Sequence, residues 1–136
     1  MIYILIWVTP MISQVNNNWF RSQLVFLYKL FWMHIYNITF IVNKGIEKDW
    51  VEHIDRFILP EIRKNVYQID LLKVGFQEGL KNVKGESFSV QIYCNDIETV
   101  KWVKDIGSQM ILQKLQRRFK KDWTAFASTL EFVKTY

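Results

Sequence analysis

A chain of 136 residues, 50% apolar and 23% charged, is long enough for one packed domain and too apolar for a disordered segment. Its formal charge of +5 permits nucleic acid or an acidic membrane as a partner and requires neither. The one cysteine, Cys94, excludes an internal disulfide and an iron–sulfur centre held by this chain alone, and a lone thiol fits a reducing, cytoplasmic setting.

Residues 1–32 differ from the rest. They contain no acidic residue, only Arg21 and Lys29 as bases, and three of the six tryptophans; all five glycines follow Met33. No basic region precedes the apolar start and no small-residue cleavage site follows it, so the stretch does not read as a signal peptide. A membrane span needs about 20 mostly apolar residues. Residues 13–18 interrupt the first apolar run, and the second is short and carries Lys29. The expectation is a leader outside the domain: an extension ahead of a true start at Met33, or a weakly membrane-associating segment. The domain itself is then 33–136.

Residues 34–42, HIYNITFIV, alternate as a strand, with Tyr36, Ile38, Phe40 and Val42 on one face. Asn43-Lys44-Gly45 reads as a turn. Residues 46–63 have helical period, with Ile46, Trp50, Ile54, Phe57 and Ile58 as the inner face, and Pro60 must end or kink the helix near Leu59. Residues 68–76 form a second strand with imperfect alternation, and 77–85 a polar loop. Residues 86–94 form a third strand, with Phe88, Val90, Ile92 and Cys94 facing one way.

Asn95 or Asp96 can cap the next helix. It runs to about Phe119, with an inner stripe of Ile97, Val100, Val103, Ile111 and Leu115, and Gly107 allows close packing. Residues 123–134 form a fourth strand, with Phe126, Leu130 and Phe132 expected inward. The order β-α-β-β-α-β, with right-handed crossovers, predicts an α+β, ferredoxin-like two-layer sandwich: a four-stranded antiparallel sheet with two helices on one face.

The opening MHIYNITFIVNKGIEKDWVEHI, the helix end FILPEI, the strand end FSVQIYCND and the closing TAFASTLEFV resemble a small bacterial family, domain of unknown function 4286, over residues 33–136. The resemblance implies a ferredoxin-like domain related to dimeric α/β barrel proteins and a start at Met33. It implies no activity, so no functional residue is carried over.

The second sheet face has no helix to cover it. It is expected to carry Ile35, Asn37, Thr39 and Ile41, then Ser89, Gln91 and Tyr93, then Ala125, Ala127, Thr129 and Glu131. So mixed a surface fits a homodimer formed face to face. A pocket between two such sheets would be lined by Asn37, Gln91, Tyr93 and Glu131 and could take an unknown small ligand.

Three functions follow in order: a dimeric binding or structural module, a small cofactor-independent dimeric α/β barrel enzyme, and an anion or nucleic-acid binder. The last would use the basic end of the second helix, Lys114, Arg117, Arg118, Lys120 and Lys121. No catalytic, metal or cofactor-binding residue is assigned. His34 and His53 read as surface histidines outside any H-E-x-x-H pattern. Sheet recognition of RNA is disfavoured, because Glu86 and Ser87 stand where the RNA-recognition signature needs an aromatic and a small residue, and Tyr36 points inward. A membrane partner is expected only through residues 1–32.

A chain begun at Met33 is expected to keep nearly the full melting temperature. A large loss in a thermal melt would show that the leader packs on the domain.

Overall fold

The computed structural model describes residues 18–24, 33–75 and 85–131. The chain divides into two units, His34–Glu131 and Met1–Met33 together with Phe132–Tyr136. In the latter, residues 18–24 are helical, with Trp19 and Phe20 exposed. Most of the expected leader, the loop at 76–84 and the strand end at 132–134, with Phe76 and Phe132, lie outside the described residues.

In the larger unit β1 (His34–Val42) leads through a 3-10 turn (Lys44–Ile46) to α1 (Glu47–His53), a π-helical stretch (Ile54–Ile58) and α2 (Leu59–Arg63). Strands β2 (Gln68–Val74) and β3 (Glu86–Cys94) follow. A second helical arm comprises α3 (Ile97–Trp102), a π-helical stretch (Val103–Gly107) and α4 (Ser108–Phe119), and β4 (Trp123–Glu131) closes the unit. The sheet order is β2-β3-β1-β4 and every neighbouring pair is antiparallel. This is the ferredoxin-like topology expected from the element order.

One core holds the unit together. Tyr36, Ile38, Phe40 and Val42 of β1 and Phe88, Val90, Ile92 and Cys94 of β3 meet Trp50, Ile54, Ile58 and Ile62 of the first arm and Val103, Ile111, Leu115 and Phe119 of the second. Both helical arms therefore cover the same sheet face. Trp50 is its largest fully buried side chain, lying 5.1 Å from the Phe40 ring and stacked 5.1 Å from Phe88.

The two π-helical stretches follow from the spacing of the buried residues. Each arm buries a side chain every fourth position: Trp50, Ile54, Ile58 and Ile62 in one; Val103, Gly107, Ile111, Leu115 and Phe119 in the other. A regular α-helix of 3.6 residues per turn would rotate such a row by about 40° at each step, away from the sheet. A wider π turn removes part of that drift. In the second arm it also brings Trp102 over Gly107, where an added Cβ would lie 3.1 Å from the indole.

Phe57, expected inward, is instead 61% exposed, because the buried row advances by four residues and passes it by. Ile97 is likewise exposed, since it stands in the first turn, ahead of the buried row that begins at Val103. Pro60 interrupts the first arm near Leu59, as expected, without ending it. It sits in the first turn of α2, where its missing N–H costs least.

The connections are tied locally. Asp96 caps α3, its Oδ1 accepting from Thr99 N at 2.7 Å and Thr99 Oγ1 at 2.8 Å, and these bonds hold its carboxyl below the usual range. The Asn43 N–H donates to Asp122 O at 3.0 Å and joins the end of β1 to the start of β4. Gly85 has φ +155°, and a Cβ there would stand 2.5 Å from Val42 O, so only glycine lets β3 begin so close to the end of β1.

Trp50→Ala should cost about 3–5 kcal/mol by chemical denaturation, as removal of a large buried ring does. Trp50→Phe should cost much less, because the buried Trp50 Nε1 has no hydrogen-bond partner to lose.

Candidate functional site

The sheet face turned away from the two helical arms is a grid fixed by strand register. Its four rows, read from β2 through β3 and β1 to β4, are Gln68–Tyr93–Ile35–Leu130, Asp70–Gln91–Asn37–Ser128, Leu72–Ser89–Thr39–Phe126 and Val74–Ser87–Ile41–Thr124. Asn37, Gln91 and Tyr93 are therefore neighbours. Glu131 is not with them. It pairs with His34, and Trp123, Ala125, Ala127 and Thr129 share its side of β4, the side that faces the helices.

The β4 assignment inverts the expectation, and the cause is local. WTAFASTLE has large apolar residues on both alternating sets, Trp123 on one and Phe126 and Leu130 on the other. The Asn43–Asp122 backbone bond places Trp123 opposite Val42, and its ring packs 6.0 Å from Phe40. The period of two then turns Ala125 inward and leaves Phe126 60% and Leu130 42% exposed on the open face.

The polar groups of that face hold one another. Asn37 Oδ1 accepts from Ser89 Oγ, and Asn37 Nδ2 donates to Thr39 Oγ1 at 3.1 Å. Tyr93 OH donates to Gln91 Oε1 at 3.2 Å, and Gln68 Nε2 donates to Asp70 Oδ1 at 3.0 Å. Burial first, and then Asp70, raises the Tyr93 phenol above its usual range, so it stays a donor at neutral pH. Asp70 is the only residue of these sixteen positions that is charged at neutral pH, in a chain that is 23% charged.

The helical side is unlike it. An open groove of about 620 Å³ between the arms is lined by His53, Phe57, Ile58, Lys114, Arg117 and Arg118. His53 is half-buried rather than fully exposed, 5.3 Å from the Phe57 ring and edge-on to Phe119 at 5.7 Å. Burial, then Arg118 and then Lys114 lower its pKa, with Asp49 opposing them. Arg118 Nη2 donates to both Asp49 carboxylate oxygens, at 3.0 and 3.2 Å, and the guanidinium lies over the Phe119 ring.

Of the basic residues singled out in the sequence, Lys114, Arg117 and Arg118 thus meet at one groove. Lys120 and Lys121 fall beyond the helix, and Lys120, with φ 50°, makes the turn that ends α4. His34 is half-buried at the start of β1. Among the described residues no three His, Cys, Asp or Glu side chains gather as a metal site requires, and no helix is long and apolar enough to cross a membrane.

The sequence reading missed His53 and Phe57 as groove residues. They stand four apart on the first arm, which puts them on one face, but nothing in the sequence pairs that face with Lys114 and Arg117.

The family described as "Domain of unknown function (DUF4286)" matches residues 33–133. The chain belongs to this family. Similar solved structures of the DUF4286 chain include an uncharacterised NIPSNAP-like domain protein from Burkholderia xenovorans, with TM-score 0.55, 11% identity, and coverage of 78% of this chain and 90% of that one. An ethyl tert-butyl ether d (EthD) family protein from Bacillus halodurans gives TM-score 0.50 and 11% identity, covering 70% of this chain and 96% of that one. A dimeric ferredoxin-like protein from an uncultured marine organism gives TM-score 0.47 and 8% identity, with 76% and 97% covered. At such identities the likeness of the first two is one of fold. No functionally curated protein matches the DUF4286 sequence.

Cys94 is fully buried, and burial first and Asp96 second push its thiol up to about 11. It should resist thiol-modifying reagents at neutral pH in the folded protein and react at once in denaturant, as a colorimetric thiol assay would read.

Proposed function

We propose that this DUF4286 chain is a binding or structural module that works as a cytoplasmic homodimer, its open sheet face set against that of a second copy. The carrying observation is the charge-poor grid. Its apolar residues, Leu72, Phe126, Leu130, Ile35 and Ile41, lie in mixed rows beside one wholly polar band of Asp70, Gln91, Asn37 and Ser128. Depletion of charge around exposed aromatic and aliphatic side chains is the composition of an interface core.

The size is also adequate. Strands about 4.8 Å apart with about 3.4 Å of rise per residue give a face of roughly 500 Å² in projection over four strands and eight residues. A standard interface buries about 800 Å² of accessible surface per partner, which a surface textured by side chains approaches from that projection. A twofold axis through the polar band would set amide against amide there and mixed rows against mixed rows on either side. The enzyme reading is not favoured, because Glu131, one of the four residues expected to line its pocket, does not share a face with Tyr93.

The cytoplasmic setting is supported by the one cysteine being a buried free thiol.

Native mass spectrometry and sedimentation of the full chain should give twice the 16.5 kDa chain mass. Phe126→Asp combined with Leu72→Asp, both at exposed positions, should give monomer with an unchanged melting profile, while Glu131→Ala should stay dimeric. A monomeric parent chain would overturn the proposal.

A further inference from the structure

The groove between the helical arms lies on the opposite side of the sandwich from the dimerising face, so its occupant is a separate question. Three cations, Lys114, Arg117 and Arg118, line it at positions i, i+3 and i+4 of α4 and so crowd one side of that helix. Arg118 is neutralised by Asp49. Lys114 and Arg117 have no ion-pair partner among the described residues. Beside them Phe57 is 61% exposed, its ring tilted against His53, while Ile58 closes the floor. Two cations without an ion-pair partner and a large exposed ring thus stand side by side, and a single class of ligand can use both.

We propose that this groove binds a small organic anion with a planar ring. The ring lies against Phe57 and His53, and a phosphate or carboxylate group pairs with Lys114 and Arg117, the guanidinium offering two parallel N–H donors to the anion's oxygens.

The charged groups facing His53 are Asp49 from its own helix and Lys114 and Arg118 from α4, with Arg117 across the groove. The α4 cations disfavour a proton on the imidazole. An anion seated on them offsets that effect and favours the imidazolium. Binding therefore takes up a proton and tightens as pH falls toward the lowered pKa of the free histidine.

Isothermal titration calorimetry on the full chain tests this with three compounds: adenosine monophosphate, benzoate and inorganic phosphate. At least one of the two ring-bearing anions should bind roughly tenfold or more tighter than inorganic phosphate, and which one does so identifies the anionic group. Arg117→Ala and Lys114→Ala should each weaken that binding about tenfold. Phe57→Ser should reduce it to the level of inorganic phosphate. Affinity for benzoate, whose charge is constant over this range, should rise from about pH 7.5 to about pH 5.5, whereas the second ionisation of the phosphate ester near about 6 opposes the rise for adenosine monophosphate; His53→Gln, confirmed folded by circular dichroism, should remove the histidine contribution to either profile. Absence of binding by both ring compounds, indifference to Phe57→Ser, or binding confined to a single-stranded polynucleotide would overturn the proposal.

Discussion

The ring cluster Phe40, Trp50, Phe88 and Trp123 is the contact on which the rest of the domain depends. Phe40 stands at the centre, with Trp50 at 5.1 Å and Trp123 at 6.0 Å, and Phe88, its partner across the β1–β3 pair, stacks on Trp50 at 5.1 Å. The cluster joins both central strands, the first helical arm and the last strand. Aromatic contacts of this kind add about 0.5–1.5 kcal/mol each beyond the area they bury. Their larger effect is on register. Because Trp123 must reach Phe40, β4 has one way to lie, and the composition of the open face follows from that.

The helical arms show the same economy of cause. Each spaces its buried residues by four and each widens into a π turn where the row would otherwise leave the sheet. The arms are thus alike in construction though unlike in residues. The wide turn of the first arm ends at Ile58, two residues before Pro60, and that of the second ends at Gly107 beneath Trp102. Fitting the rows to the sheet leaves Phe57 outside, and the exposed ring in the groove is a by-product of a packing requirement elsewhere on the same helix.

The sequence was legible where one alternating set was clearly the more apolar. In β1 and β3 the sets Tyr36, Ile38, Phe40, Val42 and Phe88, Val90, Ile92, Cys94 outweigh Ile35, Asn37, Thr39, Ile41 and Ser87, Ser89, Gln91, Tyr93, and both strands lie as expected. The connection order and the cap at Asp96 were legible for similar reasons. In β4 the two sets compete, hydrophobicity favours Phe126 and Leu130, and a long-range ring contact reverses the choice. The helix faces were readable at 3.6 residues per turn only as far as the helices keep to that value, which is why Phe57 was misplaced. The groove was not readable at all, since it is made by two arms more than fifty residues apart, whose charges are brought together only by tertiary packing.

The domain segregates its ions. The helices carry Glu52, Arg56, Glu61, Lys64, Lys101, Lys104, Arg117 and Arg118 at exposed positions, and the bare side of the sheet has one carboxylate. Two copies placed back to back would hide their neutral sides and present only ionised, well-hydrated helices outward, with a net positive charge on each. Pairs of like net charge repel one another at low ionic strength. The charge separation that leaves one side of the sheet free to pair would thus also slow the meeting of one pair with the next, and added salt would weaken that effect.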